Sequence, residues 1–194
     1  NNTKGVIVCS CVGDGRKVSL VRGRLPREFY SCLKLCSSHV ANERELEFSE
    51  YDFFDRGADE RQFASPHVAL DVGTLCNTKF GDYPEYHTSA DNLDIISESA
   101  ISMSSEIIIR TIIFYSQNQK PILKEPCEPM FSRFGIYPHT RNYSETKKEV
   151  MNLLNFSAYS DGKNYLYEIA DKCRLSDLET LDLLATFKEN GVLE

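Results

Sequence analysis

A histidine and a nearby aspartate lie in a loop whose composition suits chemistry better than packing. His87 stands in the segment from Gly81 to Asn92, and Asp91 follows four residues later. A neutral imidazole is the commonest protein ligand for zinc-like metals, and a carboxylate close by can orient such a ligand. Loops between rigid elements can aim polar groups at one point. The segment therefore indicates a metal or catalytic site, and the alternative is a surface turn with an incidental histidine.

A second polar segment precedes this loop. Residues 57–66 read Gly-Ala-Asp-Glu-Arg-Gln-Phe-Ala-Ser-Pro, and the His87 segment contains Tyr-His-Thr followed three residues later by Asp. In this order the two segments resemble the di-zinc aminopeptidase superfamily. They resemble more closely the bacterial aminopeptidase-like proteins often found beside polysaccharide biosynthesis genes. Those proteins also end in a winged-helix unit with the phrase Tyr-Ser-Asp-Gly-Lys, which stands here at 159–163, so the resemblance runs from Gly5 to the last residue.

The resemblance implies zinc-assisted hydrolysis of peptide or amide bonds. In the superfamily, imidazoles and carboxylates hold two zinc ions that lower the pKa of a bridging water, and a glutamate base directs that water at the scissile carbonyl. His87 matches one metal ligand, and Asp14, which follows the first predicted strand, matches another. The alternative for Asp14 is an ordinary turn residue, because glycines flank it on both sides.

Other matching positions are expected to contact the substrate. By the resemblance, Asp59 matches an aspartate that precedes the pocket wall in the superfamily, and Glu60 and Arg61 beside it depart from the histidine that many members carry next. Tyr86 is also expected to contact the substrate, and Asp91 is expected to orient the metal ligand. Arg61 could donate two hydrogen bonds to a substrate carboxylate, or it could form a structural ion pair with Asp59, and both alternatives stay open.

The remaining active-site groups of the superfamily have no counterpart in these 194 residues. The first ligand pair, the bridging aspartate and the glutamate pair with the general base would all precede Asn1. We therefore expect this chain to be a C-terminal portion of such a hydrolase, inactive alone and with weak or partial zinc binding. The alternative is a non-catalytic binding or scaffold module that keeps the peptidase-like fold.

Alternating strand and helix patterns predict an α/β sheet with flanking helices, which is a partial zinc-aminopeptidase-like sheet by the resemblance. Ligands are expected beyond the carboxyl ends of its strands. A continuous β-rich run predicts that the first strand is buried. The expected strands lie at 5–12, 17–22, 46–54 and 68–75.

Two long helices are expected to cover this sheet. The first opens at Pro26, where a missing N–H costs nothing. Its apolar residues at helical spacing are Phe29, Leu33, Cys36 and Val40. The second begins at Ser97, and one of its faces is lined by Ile101, Ile108, Ile112 and Tyr115.

The chain divides into three parts. Residues 1–120 form the aminopeptidase-like α/β part, residues 121–143 form a Pro-rich linker, and residues 144–194 form a small all-α winged-helix-like domain. The third helix of that domain begins at a capping box, in which Ser176 and Glu179 satisfy each other's backbone amides.

Charge argues against nucleic acid as a partner. The chain carries 29 acidic and 22 basic residues, a net charge of −7, with no basic run. The third helix of the winged-helix-like domain would repel phosphate, so we expect it to contact a protein partner or to stabilise the fold. Its charged residues are Asp177, Glu179, Asp182 and Glu189 against Lys188.

The seven cysteines indicate a reducing compartment. They form an odd set without a C-x-x-C pair, which fits reduced thiols in a cytoplasmic protein. Cys32 and Cys36 lie one helical turn apart, and we favour buried small hydrophobes over metal ligands for them. No signal peptide is visible, and no apolar run approaches the ~18 residues of a membrane span, so we expect no membrane partner.

Overall fold

A computed structural model describes residues 2–137 and 143–194. The described chain forms two compact units, Asn1–Tyr115 and Ser116–Glu194. The first is an α/β unit and the second is helical, which confirms the fold class predicted from the sequence. Residues 138–142 of the predicted linker lie outside the described residues, and the predicted linker boundaries stay predictions.

The first unit is built on a mixed four-stranded sheet. Its spatial order is β1-β4-β2-β3. The parallel pairs are β1 with β4 and β2 with β3, while β2 runs antiparallel to β4. The carboxyl ends of β1 and β4 therefore lie next to each other at the same end of the sheet. The strands are β1 (Val6–Cys9), β2 (Val18–Arg22), β3 (Phe48–Tyr51) and β4 (Val72–Cys76).

Side-chain alternation gives the sheet two different faces. Leu20 and Leu75 point to one face, where they pack with residues of two long helices. Val21 and Cys76 point to the other, where they pack against Phe80 from the chain after β4. The three helices of this unit are α1 (Glu28–Glu43), the short α2 (Glu60–Phe63) and α3 (Glu98–Ser116).

Helix α1 confirms the predicted buried face. The four apolar residues at helical spacing are all buried, and so is Cys32. A carboxylate distant in the sequence caps the N-terminus of α1. Asp71 accepts hydrogen bonds from the backbone N–H groups of Arg27, Phe29 and Tyr30. Cys32 and Cys36 thus serve as core residues of the α1 face.

The buried face of helix α3 is not the face that was predicted from its isoleucines. Ile101 and Ile112 are exposed, whereas Met103, Ile107 and Phe114 are buried. Isoleucines occur nearly all the way around this helix, so apolar periodicity could not select the buried side.

Strand β1 is an edge strand, so the prediction of a fully buried strand is wrong. Val6, Ile7 and Val8 are half-buried and Cys9 is exposed. Within the described residues β1 pairs with β4 alone.

The second unit packs three helices around aromatic residues. Phe156 and Phe187 meet edge-on with ring centroids 5.1 Å apart, and Phe131 lies 5.9 Å from Phe187. The Ser176–Glu179 capping box is confirmed, since each side chain accepts from the other's backbone N–H. The helices are α4 (Tyr143–Tyr159), α5 (Leu166–Cys173) and α6 (Asp177–Glu189).

A short extended segment belongs to this helical unit. Leu123 N–H donates to the carbonyl of Ser160 at 3.0 Å, and Lys124 N–H donates to the carbonyl of Val192 at 3.0 Å. Residues 121–124 thus lie between two other extended stretches, although the sequence analysis placed them in the linker.

No helix in the described part of the chain is both long and apolar enough to cross a membrane.

None of the seven cysteines, all of which lie within the described residues, forms a disulfide.

Candidate functional site

A cavity of about 290 Å³ opens where the carboxyl ends of β1 and β4 meet. Two loops and the start of α3 form its wall. The first rim loop is residues 10–17 after β1, and the second rim loop is residues 77–97 after β4. This is where the sequence predicted ligands to bind. The lining residues are Cys11, Val12, Gly13, Asp14, Tyr83, Asp91, Ile95, Ile96 and Ile101.

Asp14 lies on the cavity wall, and its carboxylate accepts three hydrogen bonds. Its Oδ1 accepts from Thr78 Oγ1 at 2.7 Å and from the backbone N–H of Arg16 at 3.1 Å. Its Oδ2 accepts from the backbone N–H of Thr78 at 3.0 Å. A carboxylate has about four lone-pair sites, so one on Oδ2 stays available. The arrangement suits a turn residue that ties the two rim loops together, and equally a metal-ligating carboxylate held in place by hydrogen bonds.

Asn77, which the sequence analysis missed, fastens the first rim loop. The side chain is fully buried, and its Nδ2 donates to the carbonyl oxygens of Val12, at 2.9 Å, and Asp14. Its Oδ1 accepts from Ser104 Oγ at 3.1 Å. An amide side chain whose nitrogen and oxygen both form hydrogen bonds in the core fixes the backbone around it. No local motif marks Asn77, because its partners lie far away in the sequence.

Tyr83 and Asp91 meet at the cavity. The Tyr83 hydroxyl donates toward Asp91 Oδ2 at 3.5 Å, and it lies 3.5 Å from Cys11 Sγ. Burial, followed by the contact with Cys11, raises the pKa of Tyr83 well above its ordinary value. Tyr83 therefore stays a neutral hydrogen-bond donor at any physiological pH.

His87 lies in the second rim loop but is not part of the cavity lining. It is exposed, and its ring stacks on Tyr86 with centroids 3.9 Å apart. Its backbone is left-handed, with φ of 58°, a conformation that non-glycine residues adopt rarely. Such strain often accompanies function, so this geometry is compatible with the predicted role of His87 without testing it.

A bidentate ion pair connects the two rim loops. Arg16 Nη2 lies 2.8 Å from Glu85 Oε1, and Nη1 lies 3.1 Å from Oε2. The hydrogen bond from Arg16 is the main reason that the pKa of Glu85 is lowered. Neither residue was singled out from the sequence, because a pair 69 residues apart leaves no local pattern.

Asp59, Glu60 and Arg61, which were predicted to contact the substrate, differ in their exposure. Glu60 is fully buried, with Oε1 accepting from the N–H groups of Gly57 and Ala58 and Oε2 accepting from Thr74 Oγ1 at 2.7 Å. Asp59 and Arg61 are exposed. None of the three lines the cavity, and Glu60 holds its own loop against β4.

The described residues do not assemble a zinc site by themselves. Among them, no group of three or more His, Cys, Asp or Glu side chains could hold a metal ion. Asp14 offers one remaining lone pair, and His87 lies outside the cavity lining. A tetrahedral zinc ion needs about four ligands, so the donors among the described residues fall short of the number required.

The described residues thus comprise an α/β unit, with a cavity at the carboxyl ends of two parallel strands, and a helical unit that follows it in the chain. The chain belongs to the family described as a domain of unknown function (DUF4910), which matches residues 1–118. Residues 120–194 match a family described as winged helix-turn-helix.

A curated protein and a solved structure, both from Clostridium acetobutylicum, are similar to this chain. One is 32% identical over 173 residues, covering 88% of this chain, and its provisional name is polysaccharide biosynthesis protein with aminopeptidase-like domain. The other is a crystal structure provisionally described as a peptidase, with a TM-score of 0.79, 29% identity and 100% of this chain covered. The chain spans 39% and 42% of the length of these two relatives.

Proposed function

We propose that this chain supplies part of the active site of an aminopeptidase-like hydrolase that acts on peptide or amide bonds. The observation that carries the proposal is the cavity between the two rim loops, whose wall includes Asp14, Tyr83 and Asp91. Its position at the carboxyl ends of two parallel strands is the usual ligand position in α/β sheets. The names of the two relatives agree with this class of activity.

The residues of this chain would bind and orient a substrate. Tyr83 donates a hydrogen bond at the cavity wall, and the apolar side chains of Ile95, Ile96 and Ile101 offer a surface for an apolar group. The ion pair between Arg16 and Glu85 would hold the rim in place. Asp59, Arg61 and Tyr86 are proposed to contact the more distant parts of a peptide.

Zinc is the cofactor that we propose, with His87 and Asp14 as donors and Asp91 as an orienting carboxylate. When bound, zinc would supply an activated water and would polarise the scissile carbonyl. The donors within residues 2–137 and 143–194 are too few for a complete centre, so the other ligands and the general base would come from groups outside this part of the chain. The chain alone should then be inactive.

A non-catalytic scaffold is the second candidate. It is favoured by the structural roles of two carboxylates. Glu60 is buried and binds N–H groups of its own loop, and Asp14 accepts one hydrogen bond within its own loop and two from Thr78 of the other rim loop. In that case the peptidase-like fold would be kept for binding.

The winged-helix unit is proposed to contact protein rather than nucleic acid. Helix α6 exposes Asp182 and Glu189, and Lys188 is its single cation. We also propose a cytoplasmic location, from the seven free thiols.

The hydrolase proposal is tested by the polypeptide expressed from the whole open reading frame of the gene. Short peptides should release amino acids in the presence of zinc, and a chelator should stop the release. The same assay on the 194-residue chain should show no release. Failure of the whole polypeptide to bind zinc or to cleave any peptide of a broad panel would favour the scaffold.

A further inference from the structure

A groove runs between α4 and α6 of the second unit. Its volume is about 420 Å³, and its lining combines apolar and charged side chains. Leu153 of α4, which is buried, and Leu183 of α6, which is half-buried, supply the apolar part. Two neighbouring helices leave a channel that side chains of a partner can enter, and such channels are common binding sites.

One ion pair joins the two helices at this groove. Lys148 Nζ of α4 lies 2.9 Å from Glu179 Oε1 of α6. The Glu179 carboxylate is held in place by the capping box, because it also accepts from the backbone N–H of Ser176. Lys148 is the single cation of the groove lining, and its charge is therefore already compensated.

Two further carboxylates line the groove. Glu149 of α4 and Asp182 of α6 are both exposed. Within the part of the chain that the structure describes, the ion pair of this groove is the one between Lys148 and Glu179, and neither Glu149 nor Asp182 forms another. The lining thus carries three carboxylates against one ammonium, and the excess negative charge lies beside the two leucines.

Exposed apolar side chains flank the groove. Leu178 is 52% exposed and Met151 is 45% exposed. Leu178 lies one helical turn before Asp182, and Met151 lies three residues after Lys148, so each is a surface neighbour of a lining residue on its own helix. A partner that fills the groove can also cover these two side chains.

The charge of the lining selects the kind of partner. Phosphate groups are repelled by the carboxylates, so nucleic acid is a poor ligand for the groove. A second copy of this chain is also a poor one, because the chain has a net charge of −7 and no basic run. A helix with apolar residues on one side and cations along its borders complements both the leucines and the carboxylates.

We propose that the groove between α4 and α6 binds a basic amphipathic helix of a partner protein. Apolar residues of that helix pack on Leu153 and Leu183, and its lysines or arginines pair with Glu149 and Asp182. The proposal rests on the protein-contact role proposed for the winged-helix unit and adds the chemistry of the partner. It involves neither the cavity of the first unit nor hydrolysis.

The test measures the binding of labelled synthetic peptides to the 194-residue chain by fluorescence anisotropy. The probe has about 18 residues, which is long enough for a helix, with leucines on one helical face and lysines beside them. It should bind at physiological salt. A peptide of the same composition, with its leucines scattered around the helix, should bind more weakly by about tenfold or more. A peptide with glutamates in place of the lysines should not bind.

Substitutions at the two unpaired carboxylates place the binding in the groove. The double variant Glu149→Lys with Asp182→Lys should weaken binding of the basic peptide by about tenfold or more, because like charges then meet. The matched control, Glu128→Lys with Asp171→Lys, makes the same change of charge at exposed acids of this unit outside the groove. It should change binding by less than about twofold, because salt screens distant charges.

Circular dichroism checks that the variants fold, and Glu149→Gln with Asp182→Asn provides a milder pair if the lysines unfold the unit. Equal binding of the peptide with scattered leucines would overturn the proposal, and so would equal weakening by the groove variant and its control. Binding to the 194-residue chain but not to the polypeptide of the whole reading frame would also overturn it, because another part of the same polypeptide would then fill the groove.

A labelled DNA duplex in the same assay tests the protein-contact role separately. Binding of the duplex would overturn that role. Absence of binding by both the duplex and the basic peptide would overturn the groove proposal alone.

Discussion

The side chains of Arg16 and Glu85 form two parallel hydrogen bonds, of 2.8 and 3.1 Å, between the loops that follow β1 and β4. A planar guanidinium holds a carboxylate in a defined orientation, so this pair fixes one rim loop relative to the other. Both His87 and Tyr83 lie within two residues of Glu85, so the pair determines where they stand relative to Asp14.

Removal of this pair should loosen the second rim loop. The variant Glu85→Gln should raise amide exchange in residues 82–92 severalfold, with little change in the thermal midpoint because the pair is exposed. The effect should also appear in the unsubstituted chain as pH falls. The pKa of Glu85 is lowered in the folded chain, so the pair is fully formed above the ordinary value of 4.5 and is lost as pH falls through the lowered value.

The matched control is Asp52→Asn, which breaks another exposed pair of the same unit, with Arg22. It should leave exchange in residues 82–92 unchanged. Equal loosening of the loop by both variants would show that the Arg16–Glu85 pair has no special effect on the rim.

The buried carboxylate of Glu60 should matter for stability rather than for the surface. The variant Glu60→Ala leaves two backbone N–H groups and the Thr74 hydroxyl without their acceptor and should lower the free energy of unfolding by about 3 kcal/mol or more. The neighbouring variant Asp59→Ala, at an exposed position, should change it by less than about 0.5 kcal/mol. Urea unfolding measures both, and a small loss for Glu60→Ala would contradict the buried role.

The capping box of α6 should contribute to the stability of the second unit in a pH-dependent way. The variant Ser176→Ala should cost about 1 kcal/mol. The hydrogen bond from the Ser176 N–H, and then Lys148, lower the pKa of Glu179. This stabilisation is therefore complete above the ordinary value of 4.5 and is lost as pH falls through the lowered folded value.

The variant Glu179→Gln keeps a side-chain acceptor but cannot titrate. The stability of the second unit should then decrease less as the pH is lowered from about 5 to 3, which circular dichroism can measure. An unchanged decrease would mean that Glu179 does not contribute.

The winged-helix unit should not bind duplex DNA. Fluorescence anisotropy with a labelled duplex should show no binding at physiological salt, because acidic residues dominate the exposed face of α6. Salt-sensitive binding that is lost in the variant Lys188→Ala would contradict the proposed protein-contact role.

The parts of the fold that depend on local sequence were predictable. Helical spacing in α1 and the capping residues of α6 are carried by neighbours in the chain, and both predictions are confirmed. The buried side of α3 was not predictable, because isoleucines surround the helix and burial is decided by what packs there. Asn77, Arg16 and Glu85 could not be found either, since their side-chain partners lie between 27 and 69 residues away in the sequence.

The predicted site residues have different outcomes. Asp14 and Asp91 meet at one cavity, as loops after neighbouring parallel strands should. The roles of the exposed residues His87, Asp59 and Arg61 and of the half-buried Tyr86 stay predictions, because ligand binding by these side chains depends on groups that approach from outside these residues.

Zinc titration of the 194-residue chain tests the count of donors. Isothermal calorimetry should show no tight two-site binding, because the part of the chain that the structure describes supplies too few ligands. Two zinc ions bound at submicromolar affinity would mean that the chain contains a complete centre.

The most direct measurement concerns His87 itself. The polypeptide from the whole reading frame should be purified as the unsubstituted form, as His87→Ala and as the matched control His67→Ala, another exposed histidine of the same unit. Zinc content per molecule, measured by mass spectrometry of the metal, should fall in the first variant and stay unchanged in the second. Equal zinc content in all three forms would contradict the account, because the imidazole of His87 would then not be a metal ligand.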